Sequence, residues 1–206
     1  AGAVSRILFS VGSPQDPGTI RGSIRYQGSL ASAGERELTG SLELIGAQLS
    51  RPFLRQPIRE LSGKIILDKR GIDFQALRGR VSGYAFDFSG QWRPAGKPQL
   101  TFSLTSAEMD IAHLLPEADT ETVDWYDRLQ AKGKIAINMG KYEGFEFSNL
   151  RSDLTIDRRH WHLDNFSARS HGGSVLGDGV IVDLPVGSSF SVQPRIQGVP
   201  MQGFLK

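Results

Sequence analysis

The residues whose types and spacing come closest to a chemical site are His160 and His162, on either side of Trp161. Alternate side chains of a β-strand point to the same face, so both imidazoles would project from the face opposite Trp161, at a spacing that suits two ligands of one metal. A metal site needs further ligands, and none lies nearby in the sequence. We therefore interpret both histidines as polar residues of an exposed face, and predict no metal and no cofactor. His113 and His171 are isolated, and we expect them to contribute hydrogen bonds or a turn.

The glycine-rich run GGSVLGDG at 172–179 is superficially similar to a nucleotide-binding loop. It precedes no convincing helix and lacks the lysine of a phosphate-binding loop, so we predict a tight turn followed by a strand. The acidic residues at 117–127 fit the first turn and exposed face of a helix, not a paired-carboxylate site. No serine has the surroundings of a nucleophile elbow. The prediction is a protein that is not an enzyme.

The composition limits the classes of partner. Twenty-four basic and 22 acidic residues give a net charge of +2, and the basic residues are scattered, which argues against a nucleic-acid partner. No cysteine is present, which excludes disulfides and thiolate chemistry. No apolar run approaches the roughly 20 residues that span a bilayer, so any membrane contact would need segments outside this sequence. A hydrophobic content of 39% suits a sheet that is covered on one face only.

An internal repeat organises the chain, with apolar positions and turn glycines recurring 89 residues apart. Examples of matched residues are Leu61 and Leu150, Ile72 and Trp161, and Gly83 and Gly172. Towards the ends the spacing drifts, and our alignment matches Phe102 with Phe190, and Gly40, Leu42 and Leu44 with Gly133, Ile135 and Ile137. This predicts the tail of a preceding module (1–37), module A (38–116), a helical linker (117–132) and module B (133–206).

Within each copy, apolar and polar residues alternate over short runs that Gly, Pro and charged turns interrupt, as in an antiparallel meander. In the second copy this predicts strands at 134–139, 145–147, 151–157, 161–168, 175–183 and 189–196. One helix is expected between the modules, capped by Asp119 or Thr120, with Trp125 and Leu129 on one side. The predicted fold is mainly β, a curved antiparallel sheet of repeated modules forming an open groove, with a short helix between modules.

Bulky apolar residues of these strands are expected to share one face of the sheet. They are Leu42, Leu44, Ile65, Leu67, Ile72, Phe74, Tyr84, Phe86, Phe88, Leu100, Phe102, Leu104, Ile135, Ile137, Leu154, Ile156, Trp161, Leu163, Phe190 and Val192. Two interpretations fit this set. The residues fill the core of an ordinary closed sandwich or barrel, or they line an open trough, because a sheet extended by stacked modules need not fold back on itself.

The order of these strands and turns resembles the AsmA-like repeats of Gram-negative envelope proteins. The resemblance is carried by residues 61–115 and 150–205, with L-x-G-x-I-x-L at 61–67, I-D-F-x-x-L at 72–77 and D-I-A-H-L-L at 110–115. It implies an internal segment of a large periplasmic protein tethered to the inner membrane, with a long, curved, β-taco-like sheet. The family is associated with phospholipid transport between the inner and outer membranes, so the apolar residues named above would form the lipid groove.

The resemblance implies phospholipid or another acyl lipid as the partner, with the membrane contacted through segments absent from this sequence. Two alternatives remain open at this point. One is an envelope assembly protein of the TamB type, whose sheet edges pair with client β-strands. The other is a closed β-sandwich that binds ligands through its loops. Exposed sheet edges also predict edge-to-edge dimerisation of this chain.

Overall fold

The computed structural model describes residues 4–5, 9–10, 18–27, 37–50, 56–94, 99–113, 130–142, 144–157, 160–177, 180–183, 190–191 and 194–198. The strands are β1 (Val4–Ser5), β2 (Phe9–Ser10), β3 (Thr19–Gln27), β4 (Glu37–Leu49), β5 (Ile58–Asp68), β6 (Gly71–Val81), β7 (Tyr84–Arg93), β8 (Gln99–Asp110), β9 (Gln130–Tyr142), β10 (Phe145–Asp157), β11 (His160–Ser170), β12 (Gly173–Gly177), β13 (Val180–Asp183), β14 (Phe190–Ser191) and β15 (Pro194–Gln197). A single 3-10 turn, Ile111–His113, follows β8.

All fifteen strands belong to one sheet, whose main path runs β1-β3-β4-β5-β6-β7-β8-β9-β10-β11-β12-β15. Most neighbours along this path are consecutive in sequence and antiparallel, so the prediction of a mainly β, mostly antiparallel chain is confirmed. The sheet is not closed. Among the described residues, extensive contacts join only hydrogen-bonded neighbours, apart from the 3-10 turn beside β9. The described strands therefore form one continuous sheet.

One pair of neighbouring strands, β8 and β9, is parallel, with the register running from Leu100 opposite Ala131 to Asp110 opposite Lys141. The meander predicted from sequence did not include this pair. A parallel pair needs a crossover connection of about a dozen residues or more, and residues 111–129 supply it. Residues 117–129 of the predicted helical linker (117–132) lie outside the described residues, and the prediction is wrong for 130–132, which belong to β9. The strand β9 begins at Gln130, before the expected start of module B.

The repeat is present in the backbone geometry as well as in the sequence. Three non-glycine residues of module A have a positive φ, and each has a counterpart 89 residues later with nearly the same angle. The pairs are Glu60 (54°) and Asn149 (54°), Ala76 (46°) and Asn165 (51°), and Ser82 (50°) and His171 (48°). Positive φ is uncommon outside glycine, so the matched angles mark equivalent local structures in β5, in β6 and in the turn after β6, and likewise in β10, in β11 and in the turn after β11.

Strand pairing corrects the C-terminal part of the sequence alignment. Trp161, the counterpart of Ile72, lies opposite Val182, and Ile72 lies opposite Trp92, so Val182 corresponds to Trp92. Phe190 lies opposite Val182, and Leu100 lies opposite Trp92. Phe190 therefore corresponds to Leu100, and the sequence-based match with Phe102 was wrong by two residues. A displacement of two residues returns every side chain to the same face, so the alternation of apolar residues does not detect it.

The N-terminal part of the alignment was displaced in the same way. Gly40 lies opposite Leu67 in β5, and the equivalent residue opposite Ile156 in β10 is Ala131. Gly40 therefore corresponds to Ala131, and the sequence-based match with Gly133 was wrong by two residues. The alignment of β4 with β9 could not be checked against a second pair of equivalent strands. The other neighbour of β4 is β3, whereas the other neighbour of β9 is β8.

The strand β10 is continuous from Phe145 to Asp157, where the sequence predicted two strands, 145–147 and 151–157. Asn149, with its positive φ, lies at an irregularity between β10 and β11. Phe147 and Leu150 are both buried although they are three residues apart. An irregularity of this kind shifts the alternation of side chains without ending the strand. The sequence-based prediction mistook this shift for a break.

Candidate functional site: an apolar sheet face

A row of directly paired residues crosses nine strands on one side of the sheet. In order across the strands, the row is Leu42, Ile65, Phe74, Gly90, Phe102, Gly133, Leu154, Leu163 and Val180. Directly opposed residues on neighbouring strands lie on the same face. We refer to the sheet face that carries this row as the apolar face.

A second row runs parallel to the first, nearer the strand ends. Its members are Leu67, Ile72, Trp92, Leu100, Ala131, Ile156, Trp161 and Val182. Each module contributes one tryptophan to this row, in equivalent cross-strand pairs: Ile72 with Trp92, and Trp161 with Val182. The tryptophan of module A lies on β7 and that of module B lies on β11, and both are at the margin of the apolar face.

The residues proposed from sequence as a lipid groove fall into three groups. Partly exposed are Leu42, Ile65, Leu67, Ile72, Phe74, Tyr84, Phe86, Phe88, Leu100, Phe102, Leu104, Ile135, Trp161 and Leu163. Buried are Leu44, Ile137, Leu154 and Ile156. The side chain of Phe190, and Val192 altogether, lie outside what the structure describes. Most of the proposed residues therefore remain partly open to solvent in this chain.

Three clusters of packed apolar residues lie along the sheet, and two shared residues connect them. Phe86 packs against the cluster around Leu44 and also against the cluster around Ile137. Ile135 packs against that second cluster and against the one around Leu154. The apolar surface is therefore continuous from module A to module B, across the parallel pair of strands at their junction.

The aromatic side chains at the centre of this surface pack on one another and on glycine. The ring centroids of Phe88 and Phe74 are 5.9 Å apart, in an edge-on arrangement, and those of Phe88 and Phe102 are also 5.9 Å apart, stacked. The Phe102 ring lies over Gly133, where an added Cβ would be 2.6 Å from Phe102 Cδ1. Any side chain at position 133 would lift the ring from the sheet. This glycine is required by the close approach of the Phe102 ring.

The opposite face of the sheet is polar and carries ion pairs between neighbouring strands. Arg78 Nε lies 2.8 Å from Asp87 Oδ1, and Arg80 Nε lies 3.1 Å from Glu60 Oε2. These side chains are largely exposed, so each pair contributes little to stability. These ion pairs give this face a charged, solvent-exposed surface, in contrast to the apolar face.

The two ends of the strands carry polar groups that hold turns and neighbouring strands. In the β5–β6 turn, Asp68 Oδ1 accepts hydrogen bonds from the backbone N–H groups of Arg70, at 2.8 Å, and Gly71, at 3.0 Å. The bond from the Arg70 backbone lowers the pKa of Asp68. At the other end, Tyr84 and Asp110 raise the pKa of Lys141.

The histidines are placed on the polar side of the sheet or in turns. His160 and His162 lie opposite Asp157 and Thr155 in the β10–β11 pair. The described part of the chain contains no group of three His, Cys, Asp or Glu residues that could hold a metal ion. His171 lies in a turn, as predicted, and its Nδ1 is 2.9 Å from Ser170 Oγ.

The described part of the glycine-rich run, residues 172–177, lies in a turn followed by a strand, as the sequence predicted. Residues 171–172 form the turn, and β12 begins at Gly173. In the described ranges no helix is long and apolar enough to cross a membrane.

Two features of the apolar face were missed in the sequence. Trp92 continues the alternation of Tyr84, Phe86 and Phe88, so the same period of two would have identified it. The second feature is Nε1 of Trp161, which is buried and has no hydrogen-bond partner. No sequence pattern indicates an unpaired donor, because pairing depends on which atoms the fold brings together.

Comparison of the chain with models of known protein families, with curated proteins and with solved structures finds no match. The class of protein therefore follows from its own geometry: one open, mostly antiparallel β-sheet with an apolar and a polar face. The chemical character of the candidate site is that of an apolar, partly exposed sheet face.

Proposed function

We propose that this chain is a segment of a bridge-like lipid-transfer protein of the AsmA-like type. Its apolar face holds the acyl chains of phospholipids as they pass between the inner and outer membranes, in the periplasm. The full protein is tethered to the inner membrane through segments outside this sequence. The mechanism is passive: the chains slide along the apolar face, the headgroups stay in water, and no residue performs chemistry.

One observation carries this proposal, namely the continuous, partly exposed apolar face of one sheet. The described strands form a sheet that is not closed, which favours an open apolar face over a closed sandwich. Burial of a methylene group is worth about 0.8 kcal/mol, so a whole acyl chain gains on the order of 10 kcal/mol on such a surface. A continuous, partly exposed apolar surface supports a binding role.

The irregularities within the strands support a groove shape. Positive φ occurs within β5 at Glu60, within β6 at Ala76, within β10 at Asn149 and within β11 at Asn165. Irregularities of this kind bend strands and increase their twist. Because they recur at equivalent places in both modules, they support a sheet that bends regularly, and in the proposal the apolar face is the concave side of a trough.

The test is native mass spectrometry of the protein from cell envelopes, followed by lipid extraction and identification. Co-purifying phospholipid in constant stoichiometry is the expected result. The variants Phe86→Asp and Phe102→Asp place a charge on the apolar face and should abolish lipid binding. Asp87→Asn, on the polar face of the same strand as Phe86, should leave it unchanged. Wild-type protein without lipid after exposure to phospholipid vesicles would refute the proposal.

A second measurement needs no substitution, and so avoids variants that fail to fold. A phospholipid with a photoactivatable group in its acyl chain is cross-linked to the wild-type protein, and the labelled residues are mapped by mass spectrometry. Labelling confined to residues such as Phe88, Phe102 and Ile135 is expected. Equal labelling of polar-face residues such as Asp87 and Thr101 would contradict an acyl-chain site on the apolar face.

The second candidate, pairing with client β-strands, draws on one specific feature. Among the described strands, β15 pairs only with β12, and its Ile196 is 45% exposed. An edge with exposed apolar residues can accept a further strand from a client or from a second copy of the chain. Peptide binding, or dimerisation that Ile196→Lys prevents, without lipid uptake, would favour this function over lipid transfer.

A further inference from the structure

The indole Nε1 of Trp161 is a buried hydrogen-bond donor without an acceptor. The described apolar side chains that pack together with it are Ala131, Leu154, Ile156, Leu100, Phe102, Ile135 and Leu163. None of them carries a hydrogen-bond acceptor in its side chain. A buried donor left unpaired costs free energy, and native proteins rarely keep one without a reason. The acceptor must therefore come from outside this cluster.

The position of Trp161 indicates which acceptor fits. It is the second residue of β11, so it lies where the apolar face meets the end of the strands. Acyl chains on the apolar face would place the ester groups of the lipid at this margin. Tryptophan takes the same position in membranes, with its ring among the chains and its N–H near the ester and headgroup region.

We propose that the indole N–H of Trp161 donates a hydrogen bond to an ester carbonyl oxygen of the bound phospholipid. This inference rests on the proposed lipid-transfer function and specifies its ligand as an ester-linked glycerolipid. Trp161 is partly exposed as a residue although its Nε1 atom is not. The proposed bond requires the ring to turn about χ2, a broad torsion in tryptophan, and this needs no movement of the backbone.

Module A supplies a matched control. Trp92 occupies the equivalent cross-strand pair, opposite Ile72, but its Nε1 is not a buried atom lacking a partner. Replacing either tryptophan by phenylalanine keeps an aromatic ring and removes the N–H. Only the change at position 161 should therefore affect recognition of the ester.

The experiment compares two phospholipids with the same headgroup and chain length, one diacyl and one dialkyl ether, which lacks the carbonyl oxygens. Wild-type protein and Trp92→Phe should bind the diacyl lipid about two- to tenfold more tightly, as one neutral hydrogen bond predicts. Trp161→Phe should bind both lipids equally. Equal binding of the two lipids by the wild type, or a preference kept in Trp161→Phe, would overturn this inference and leave the proposed function standing. Failure of the wild type to bind either lipid would refute the proposed function itself.

A spectroscopic readout covers the case in which Trp161→Phe folds poorly. In ¹⁵N-tryptophan-labelled protein, the indole N–H resonance of Trp161 is the one that remains in both Trp92→Phe and Trp125→Phe, since the chain has three tryptophans. It should shift downfield with diacyl lipid and stay in place with the dialkyl ether. Identical shifts with the two lipids would show that the N–H does not bond to the ester carbonyl.

Discussion

Glu60 and Asn149 lie 89 residues apart and have the same left-handed backbone conformation, with φ of 54° at each. Neither is glycine, so both positions carry backbone strain that the surrounding sheet maintains. The two residues mark the same irregularity in equivalent strands, β5 and β10. In the proposed function these irregularities give the trough its shape, and the first prediction concerns them.

Ala76, with φ of 46° inside β6, should become more stable as glycine. A left-handed conformation costs a non-glycine residue about 1–2 kcal/mol, and glycine avoids this cost while losing some backbone entropy. We expect Ala76→Gly to raise the free energy of unfolding by roughly 0.5–1 kcal/mol, measured in urea. Ala85→Gly, at an exposed position of β7 with an ordinary backbone, should lower it by about the same amount. Loss of stability in both variants would show that position 76 is unstrained.

Gly133 and Phe102 should be energetically coupled. In Gly133→Ala the new methyl group would lie 2.6 Å from Phe102 Cδ1, and also 2.6 Å from the Phe102 carbonyl oxygen, so the ring and strand must shift. Overpacking of this kind costs about 1–3 kcal/mol of unfolding free energy. The double variant Gly133→Ala, Phe102→Leu should lose less stability than the two single variants added together. Strict additivity in this cycle would contradict the packing of the ring on the glycine.

Trp161→Phe should change stability less than Trp92→Phe does. Both substitutions remove ring volume, but the change at position 161 also removes a buried, unpaired donor whose desolvation costs about 1–3 kcal/mol. The two effects nearly cancel in Trp161→Phe, and we expect its free energy of unfolding to lie within about 1 kcal/mol of the wild type. Chemical denaturation of the lipid-free proteins measures this. A larger loss in Trp161→Phe than in Trp92→Phe would indicate that the N–H has a partner in the lipid-free state.

The β5–β6 turn should weaken in acid. Hydrogen bonds from the backbone N–H groups of Arg70 and Gly71 lower the pKa of Asp68 below its ordinary value of 3.8, so the folded state binds this proton less readily than the unfolded state. The contribution of Asp68 is present above the ordinary pKa, and is lost as the pH falls through the lowered one. In urea titrations at several pH values, Asp68→Asn should reduce stability at neutral pH and lose less further stability on acidification. Parallel curves for the two proteins would show that Asp68 does not contribute.

The sequence by itself determined the class of fold, the repeat and the sidedness of the sheet. Alternation with a period of two fixes which residues share a face, as in Leu42, Ile65 and Phe74, because successive side chains of a strand point in opposite directions. The turn glycines Gly83 and Gly172 fixed the spacing of the repeat, since tight turns restrict the residues they accept. These are local constraints, which one strand or one turn imposes without reference to the rest of the molecule.

Only the tertiary structure decided the register between neighbouring strands, the parallel pairing of β8 with β9, and the absence of a hydrogen-bond partner for Trp161 Nε1. A shift of two residues preserves the face, so sequence placed Phe190 and Gly40 against the wrong counterparts. The direction of β9 depends on the path of the connection before it, which no alternation of side chains encodes. The unpaired N–H of Trp161 depends on a cluster assembled from β8, β9, β10 and β11, which are distant in sequence and come together only in the folded sheet.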